Sequence, residues 1–218
     1  MRSNNLVISL GGSVITKNQG FDLNSISKFA NIMKKYKKPY CVVVGGGIIA
    51  RNYIETYYKF NKNSFLADEI AISITKANAR LISSILNIEF KESLNDVQKN
   101  SSCVLGGEIP GFTTDTVAAL VAEKIGAKKL INITNIGGIY DKDPRKYKNS
   151  KLIKSISYNE FLKMGIKADK RNAGTHFPFD IIAIKISMRA NLDLEIISLN
   201  DLEDVLFKHK KRGTIVKL

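Results

Sequence analysis

The sequence predicts an α/β fold built on a mostly parallel sheet, and three observations predict it. Short apolar runs at residues 6–10, 41–44, 102–105 and 129–134 read as buried strands. The first three of these runs end in glycine, at Gly11-Gly12, Gly45-Gly46-Gly47 and Gly106-Gly107. Segments of helical spacing alternate with them, as a parallel sheet with crossover helices requires. Parallel strands put their glycine junctions at one carboxyl edge, where α/β folds bind ligands.

Taken in order, the first strand ends at Gly11-Gly12-Ser13, and a polar stretch follows. Leu23, Ile26, Phe29, Ala30 and Met33 then mark one apolar helix face with a lysine-rich end. The strand at 41–44 runs into three glycines and a helix carrying Arg51 near its start. Without side chains at 45–47 a ligand can meet bare N–H groups, with a helix N-terminus behind them. A guanidinium in the first turn suits an anion, so the stretch reads as a phosphate site. Asp68 opens a long helix with Ile70, Ile74, Ala77, Leu81 and Ile85 on one stripe. Residues 88–91 and 102–105 are short strands. Thr113, Thr114 and Asp115 then start a helix after a Pro110-Gly111 loop and cap its N–H groups, or bind phosphate there. The strand at 129–134 leads into a glycine-rich loop holding Tyr140, Asp141 and Asp143. A capping box, Ser157 with Glu160, begins a short helix that stops at Gly165. Residues 167–179 read as irregular, Asp180 caps a helix, 194–199 is a strand, a helix starts at 200–203, and 213–218 closes with a strand.

At 218 residues, with 44% hydrophobic and 25% charged residues, the chain is an ordinary globular protein. No run of 18 apolar residues occurs and no signal peptide is legible, so no membrane partner is expected and the cytoplasm is the expected compartment. Cys41 and Cys103 sit in strand-like runs and read as small core residues. The formal net charge of +14 invites a nucleic-acid partner. The lysines are spread, however, with small clusters at 34–38 and 208–212, and no nucleic-acid partner is expected.

Two motifs mislead. Gly45-x-Gly47-x-x-Ala50 matches a dinucleotide fingerprint, but its acid, Asp68, opens a helix instead of ending a strand. Gly106-x-x-x-x-Gly111-Phe112-Thr113 has Phe where a P-loop needs Lys.

The motifs taken together resemble the amino acid kinase superfamily, most closely the archaeal-type uridylate (UMP) kinases. The matching residues are Gly11-Gly12-Ser13, Gly45 to Gly47 with Ala50-Arg51, Asp68-x-Ile70, Thr75-x-x-Asn78-Ala79, Pro110-Gly111-x-Thr113-Thr114-Asp115, Thr134-Asn135-x-x-Gly138-x-Tyr140-x-x-Asp143-Pro144, Ala173-Gly174, Ala183-x-Lys185 and Gly213-Thr214. The resemblance implies a three-layer αβα sandwich. It also implies an acceptor-binding part over about residues 1–127 and an ATP-binding part over about 128–218. Transfer of the ATP γ-phosphoryl group to UMP, Mg²⁺ held mainly by nucleotide phosphates, and a hexamer built as a trimer of dimers follow from it too.

By the same resemblance, Gly46, Asp68 and the run Glu108, Ile109, Pro110, Gly111, Phe112, Thr113 and Thr114 would hold UMP. Gly12, Ser13, Gly47, Arg51, Thr134, Asn135, Tyr140 and Asp143 would lie along ATP, with Lys185, Arg51 and Lys17 as catalytic cations. No residue is assigned to a metal. Three positions depart from the family. Ser9 and Gly137 replace its usual Lys and Asp, and Phe112 its usual His. A kinase for another small acid such as isopentenyl phosphate expects a His near the glycine-rich acceptor loop, but His176 and His209 lie far from 45–47 in sequence. A nucleotide-binding relative without chemistry is the other alternative.

Overall fold

The computed structural model describes residues 3–18, 20–169 and 179–218. In chain order the elements are β1 (Ser3–Leu10), α1 (Gly12–Ile15), β2 (Thr16–Lys17), β3 (Gly20–Phe21), α2 (Leu23–Lys35), β4 (Tyr40–Val44), α3 (Gly47–Tyr57), α4 (Ser64–Leu86), β5 (Glu89–Phe90) and β6 (Cys103–Leu105). They continue with α5 (Thr114–Lys124), β7 (Ala127–Ile133), β8 (Ile139–Tyr140), β9 (Leu152–Ile153), β10 (Ser155–Ser157), α6 (Tyr158–Asp169), α7 (Ile181–Arg189), β11 (Asp193–Ile197), α8 (Leu202–Phe207) and β12 (Thr214–Lys217).

Eight strands form one sheet in the order β10-β12-β11-β7-β1-β4-β6-β5. The strands from β11 to β5 are parallel, while β12 pairs antiparallel to β11 and carries β10 with it. Alternation along β1 shows how the layers arise. Leu6, Ile8 and Leu10 join one core with Phe29 and Met33 of α2, Ile82 of α4 and Leu202 of α8. Val7 joins the other with Val117 and Val121 of α5, Phe161 of α6 and Ile184 of α7. A period of two thus feeds two cores, and the result is the expected αβα sandwich. Each fully buried aliphatic or Phe side chain contributes about 2 kcal/mol relative to exposure. Cys41 and Cys103 are free, fully buried and register partners on β4 and β6.

The caps explain most of the boundaries. Ser157 and Glu160 form a reciprocal box: Glu160 N donates to Ser157 Oγ at 3.2 Å, and Ser157 N to Glu160 Oε2 at 3.1 Å. Asp180 accepts from Ile182 N and Ala183 N, both at 2.9 Å, and starts α7 as expected. Two expectations were displaced. Asp68 does not open α4, because Asn63 does so by accepting from Phe65 N and Leu66 N, leaving Asp68 one turn inside. Gly165 does not stop α6, which runs on to Asp169, since one interior glycine costs only about 1 kcal/mol in a packed helix. Within the polar stretch after Ser13 the structure forms the β2–β3 hairpin, and within the glycine-rich loop it forms β8, which pairs with β9; strands of two residues each leave no periodicity in the sequence. Ala173, Gly174 and His176 lie outside the described residues.

The tightest point of the fold joins the first two glycine junctions. A Cβ added to Gly12 would lie 2.0 Å from Gly47 N and 2.6 Å from Gly45 C. Gly47 has φ +65°, and its own added Cβ would lie 2.1 Å from Thr16 Oγ1. Backbone therefore packs on backbone, with no room for a methyl group. Gly12→Ala is expected to lower unfolding stability in urea by about 3 kcal/mol, while Gly20→Ala, with nothing within 4 Å, should change it little.

Candidate active site

Strands β1, β4, β6 and β7 all end at the same edge of the sheet, and each hands its backbone to a loop. Gly45 N donates to Leu10 O at 2.9 Å, Gly11 N to Ile133 O at 3.1 Å and Thr134 N to Ile197 O at 2.9 Å. The sheet's ladder so continues into the loops and fixes their spacing. Side chains then lock them. Thr16 Oγ1 donates to Gly12 O at 2.8 Å and accepts from Ile48 N at 3.0 Å. Buried Asn78 donates to Gly45 O at 2.9 Å and to Gly46 O, and Asn135 Nδ2 donates to Ser13 O at 2.8 Å. Thr75 Oγ1 accepts from Gly107 N at 2.7 Å.

The expected residues fall into three groups along this edge. Gly12, Ser13, Gly46 and Gly47 belong to the interlocked glycine loops. Ser13, Lys17, Thr134 and Asn135 line a polar cavity of about 450 Å³ together with Thr16, Lys28, Ser198 and Asn200. The run 108–114 follows the glycine pair at the end of β6 and leads into α5. Asp68 reaches that run from α4, where Asp68 Oδ2 accepts from Gly111 N at 2.8 Å. Gly111 has φ +85°, so the turn requires glycine there. Ile109, Phe112 and Thr113 are exposed, and Pro110 and Thr114 are half-buried. Thr113 caps α5 by accepting from Thr116 N at 3.2 Å.

Two acids are more occupied than the sequence indicated. Glu108 accepts from Ser93 Oγ at 2.5 Å and from Leu94 N at 2.7 Å, and so anchors the loop to a neighbouring turn. Asp143 accepts from Arg145 N, Nε and Nη2 at 3.0 Å each. Those bonds hold its carboxyl below the usual range. Tyr140 is half-buried on β8. Arg51 on α3, Lys17 on β2 and Lys185 on α7 are exposed cations that form no ion pair with any described residue. The edge thus offers N–H groups, hydroxyls and uncommitted cations, a donor set for phosphates.

Asp115 is the exception. Its carboxylate accepts from Ser9 Oγ at 2.6 Å. Protein surrounds the carboxylate, while the residue as a whole is half-buried. Burial pushes its pKa up to about 7, the Ser9 bond opposes that rise and the nearby Asp180 adds to it. Sequence reasoning missed Thr16, Thr75, Asn78, Ser198 and Arg145 as site residues. Only Thr75 and Asn78 carried a signal, the Thr-x-x-Asn spacing that puts both on one helix face.

Among the described residues no three His, Cys, Asp or Glu side chains could hold a metal ion.

Residues 4–101 and 95–198 match the model of the amino acid kinase family. The chain belongs to the amino acid kinase family. It is 36% identical over 222 residues to a uridylate kinase of Thermoplasma acidophilum, covering 97% of this chain and 96% of that one. Against a uridylate kinase of Pyrococcus abyssi identity is 36% over 225 residues, covering 97% and 99%. The crystal structure of uridylate kinase from Archaeoglobus fulgidus superposes with a TM-score of 0.80 at 28% identity, covering 97% of this chain and 99% of that one. A UMP kinase structure from Ureaplasma parvum shares the fold, with a TM-score of 0.77 at 23% identity and full coverage of both chains.

The raised pKa of Asp115 makes a pH prediction. The folded value lies above the ordinary 3.8, so the native state binds the extra proton. Stability from this group is present at low pH and is lost as pH rises from about 4 through about 7. Each pKa unit is worth about 1.4 kcal/mol, and residual solvent access reduces the whole effect to about 2 kcal/mol. Asp115→Asn should lose that slope, read as the difference between the two proteins' urea-unfolding stabilities across pH 4 to 8.

Proposed function

We propose that this chain is a UMP kinase, an ATP-dependent phosphotransferase that passes the γ-phosphoryl group of ATP to UMP and yields UDP for pyrimidine nucleotide synthesis. The observation that carries the reading is the meeting of the acceptor loop, the interlocked glycine loops and the Thr134-Asn135 loop at one sheet edge. The uridylate kinases of the archaeal relatives supply the acceptor.

In this reading Gly46, Asp68 and 108–114 hold UMP. The second oxygen of Asp68 remains available for ribose hydroxyls, because only its Oδ2 is bound to Gly111 N. Gly12, Ser13, Gly47, Arg51, Thr134, Asn135, Tyr140 and Asp143 hold ATP. Ile48 N is already taken by Thr16, so the phosphate contacts fall to the neighbouring N–H groups and to Arg51. An oxygen of the UMP phosphate attacks the γ-phosphorus in line and ADP leaves. The nucleophile is already charged, so no strong general base is required. Placement and charge neutralisation carry the step, with Lys185, Arg51 and Lys17 as the cations. Mg²⁺, when bound with the nucleotide, neutralises phosphate charge.

The reading includes a cytoplasmic protein that forms a homo-oligomer, a hexamer assembled as a trimer of dimers. Exposed aromatics on α3 and α4 and in the turn between them, among them Tyr53, Phe60 and Phe65, offer apolar surface for a second copy.

The test is ADP release from ATP and Mg²⁺ with UMP, CMP, dUMP and isopentenyl phosphate offered in parallel, with light scattering on the same sample. Turnover selective for UMP is expected, and Lys185→Ala should lower kcat by about 100-fold. Absent turnover with retained UMP and ATP binding would contradict the reading and favour the nucleotide-binding alternative to which Ser9 and Gly137 point. Unchanged turnover in Lys185→Ala would remove that lysine from the mechanism.

A further inference from the structure

Helices α5 and α7 lie side by side and run parallel, because they are tied at both ends. At the far end Arg189 Nε donates to Glu123 Oε1 at 2.8 Å in an exposed ion pair. At the end near the candidate site the tie is of another kind. Four donors converge on the Asp180 carboxylate. Thr113 Oγ1 donates to Oδ2, and Thr116 Oγ1 is shared between Oδ1 at 2.9 Å and Oδ2 at 3.0 Å. Ile182 N and Ala183 N complete the set from the first turn of α7.

Thr116 is fully buried beside Val117, Ala118 and Ala119. A hydroxyl in such surroundings is costly unless it is bonded, and Asp180 is the acceptor its hydroxyl donates to. Thr113 belongs to the acceptor loop, and Lys185 lies about one turn beyond the Asp180 cap on α7. Asp180 therefore joins a residue of the first part of the chain to the helix that bears a cation in the second part.

We propose that Asp180 is a positioning residue: through Thr113 and Thr116 it clamps the acceptor-loop helix to the start of α7 and sets the distance between acceptor phosphate and Lys185. This rests on the kinase reading above. Phosphoryl transfer depends on alignment, and a misplacement of about 1 Å can cost on the order of 100-fold in rate. Asp180 and Thr116, neither of them among the residues placed on the nucleotides, hold the reacting groups in register. Its loss falls on turnover more than on binding.

The cleanest probe is Thr116→Val, which keeps the shape, the Asp180 cap and every residue placed in the site. We expect kcat to fall by about 10-fold, with KM for UMP and ATP within about two-fold. Thr116→Ser should restore most of kcat despite its smaller volume. Arg189→Ala, which cuts the far tie, should keep wild-type kcat. Wild-type turnover in Thr116→Val would overturn the clamp, as would equal losses in Thr116→Ser or Arg189→Ala. Hydrogen exchange over 181–189 reads the clamp without turnover. Several-fold faster exchange at the start of α7 in Thr116→Val is expected, and unchanged exchange overturns the proposal. Were the wild type inactive on UMP, the kinase reading would fail, and this exchange result alone would decide the clamp.

Discussion

The contact of Gly12 with Gly45 and Gly47 is the constraint on which the rest of the site depends. Two loops from adjacent parallel strands meet backbone to backbone, and any side chain would drive them apart. Because the strands hold the loops in register, the first turn of α3 and the start of α1 share one small region. Thr16 and Asn78 close the arrangement with hydrogen bonds to the loop carbonyls. The glycines thus answer to two demands at once. The turn needs a positive φ at Gly47, and a phosphate needs bare N–H groups.

Chemistry at this edge follows from what is absent as much as from what is present. Donors and cations dominate, and the acids are occupied: Glu108 by Ser93 and Leu94, Asp143 by Arg145, Asp180 by its four donors. Ser9, at the position where the family usually has Lys, gives its hydroxyl to Asp115, so the acid is bonded but not neutralised by a cation. Gly137, where the family usually has Asp, has φ +68° and backs onto Ser198, whose Cβ would lie 3.0 Å from an added Cβ. A side chain there would be strained in this loop, so both departures have a local structural partner.

The alternation of apolar runs with helical stripes was legible because β1 and β4 are buried on both faces and α2 on one. Caps at Asp180 and Ser157 were legible because their side chains bond within four residues. Asp68 was misplaced as a helix start because Asn63, five residues earlier, competes for that role with an equally good acceptor. The β12 reversal was invisible, since an apolar run has no direction of its own. The meeting of the glycine loops was implied by parallel strands, but the ties that lock them were not. Thr16 to Ile48, Thr75 to Gly107 and Thr116 to Asp180 each span 32 residues or more. No local pattern reports a bond of that reach. Gly12 and Gly47 of the family motifs were legible because only glycine fits the backbone there.

Hydrogen exchange with each nucleotide added in turn tests the placement of the site most directly. The account predicts that UMP slows exchange over 45–47 and 108–115, and that a non-hydrolysable ATP analogue slows it over 11–17 and 134–143. Protection by either nucleotide confined to the opposite edge of the sheet, at the lysine cluster 34–38 that precedes β4, would contradict it.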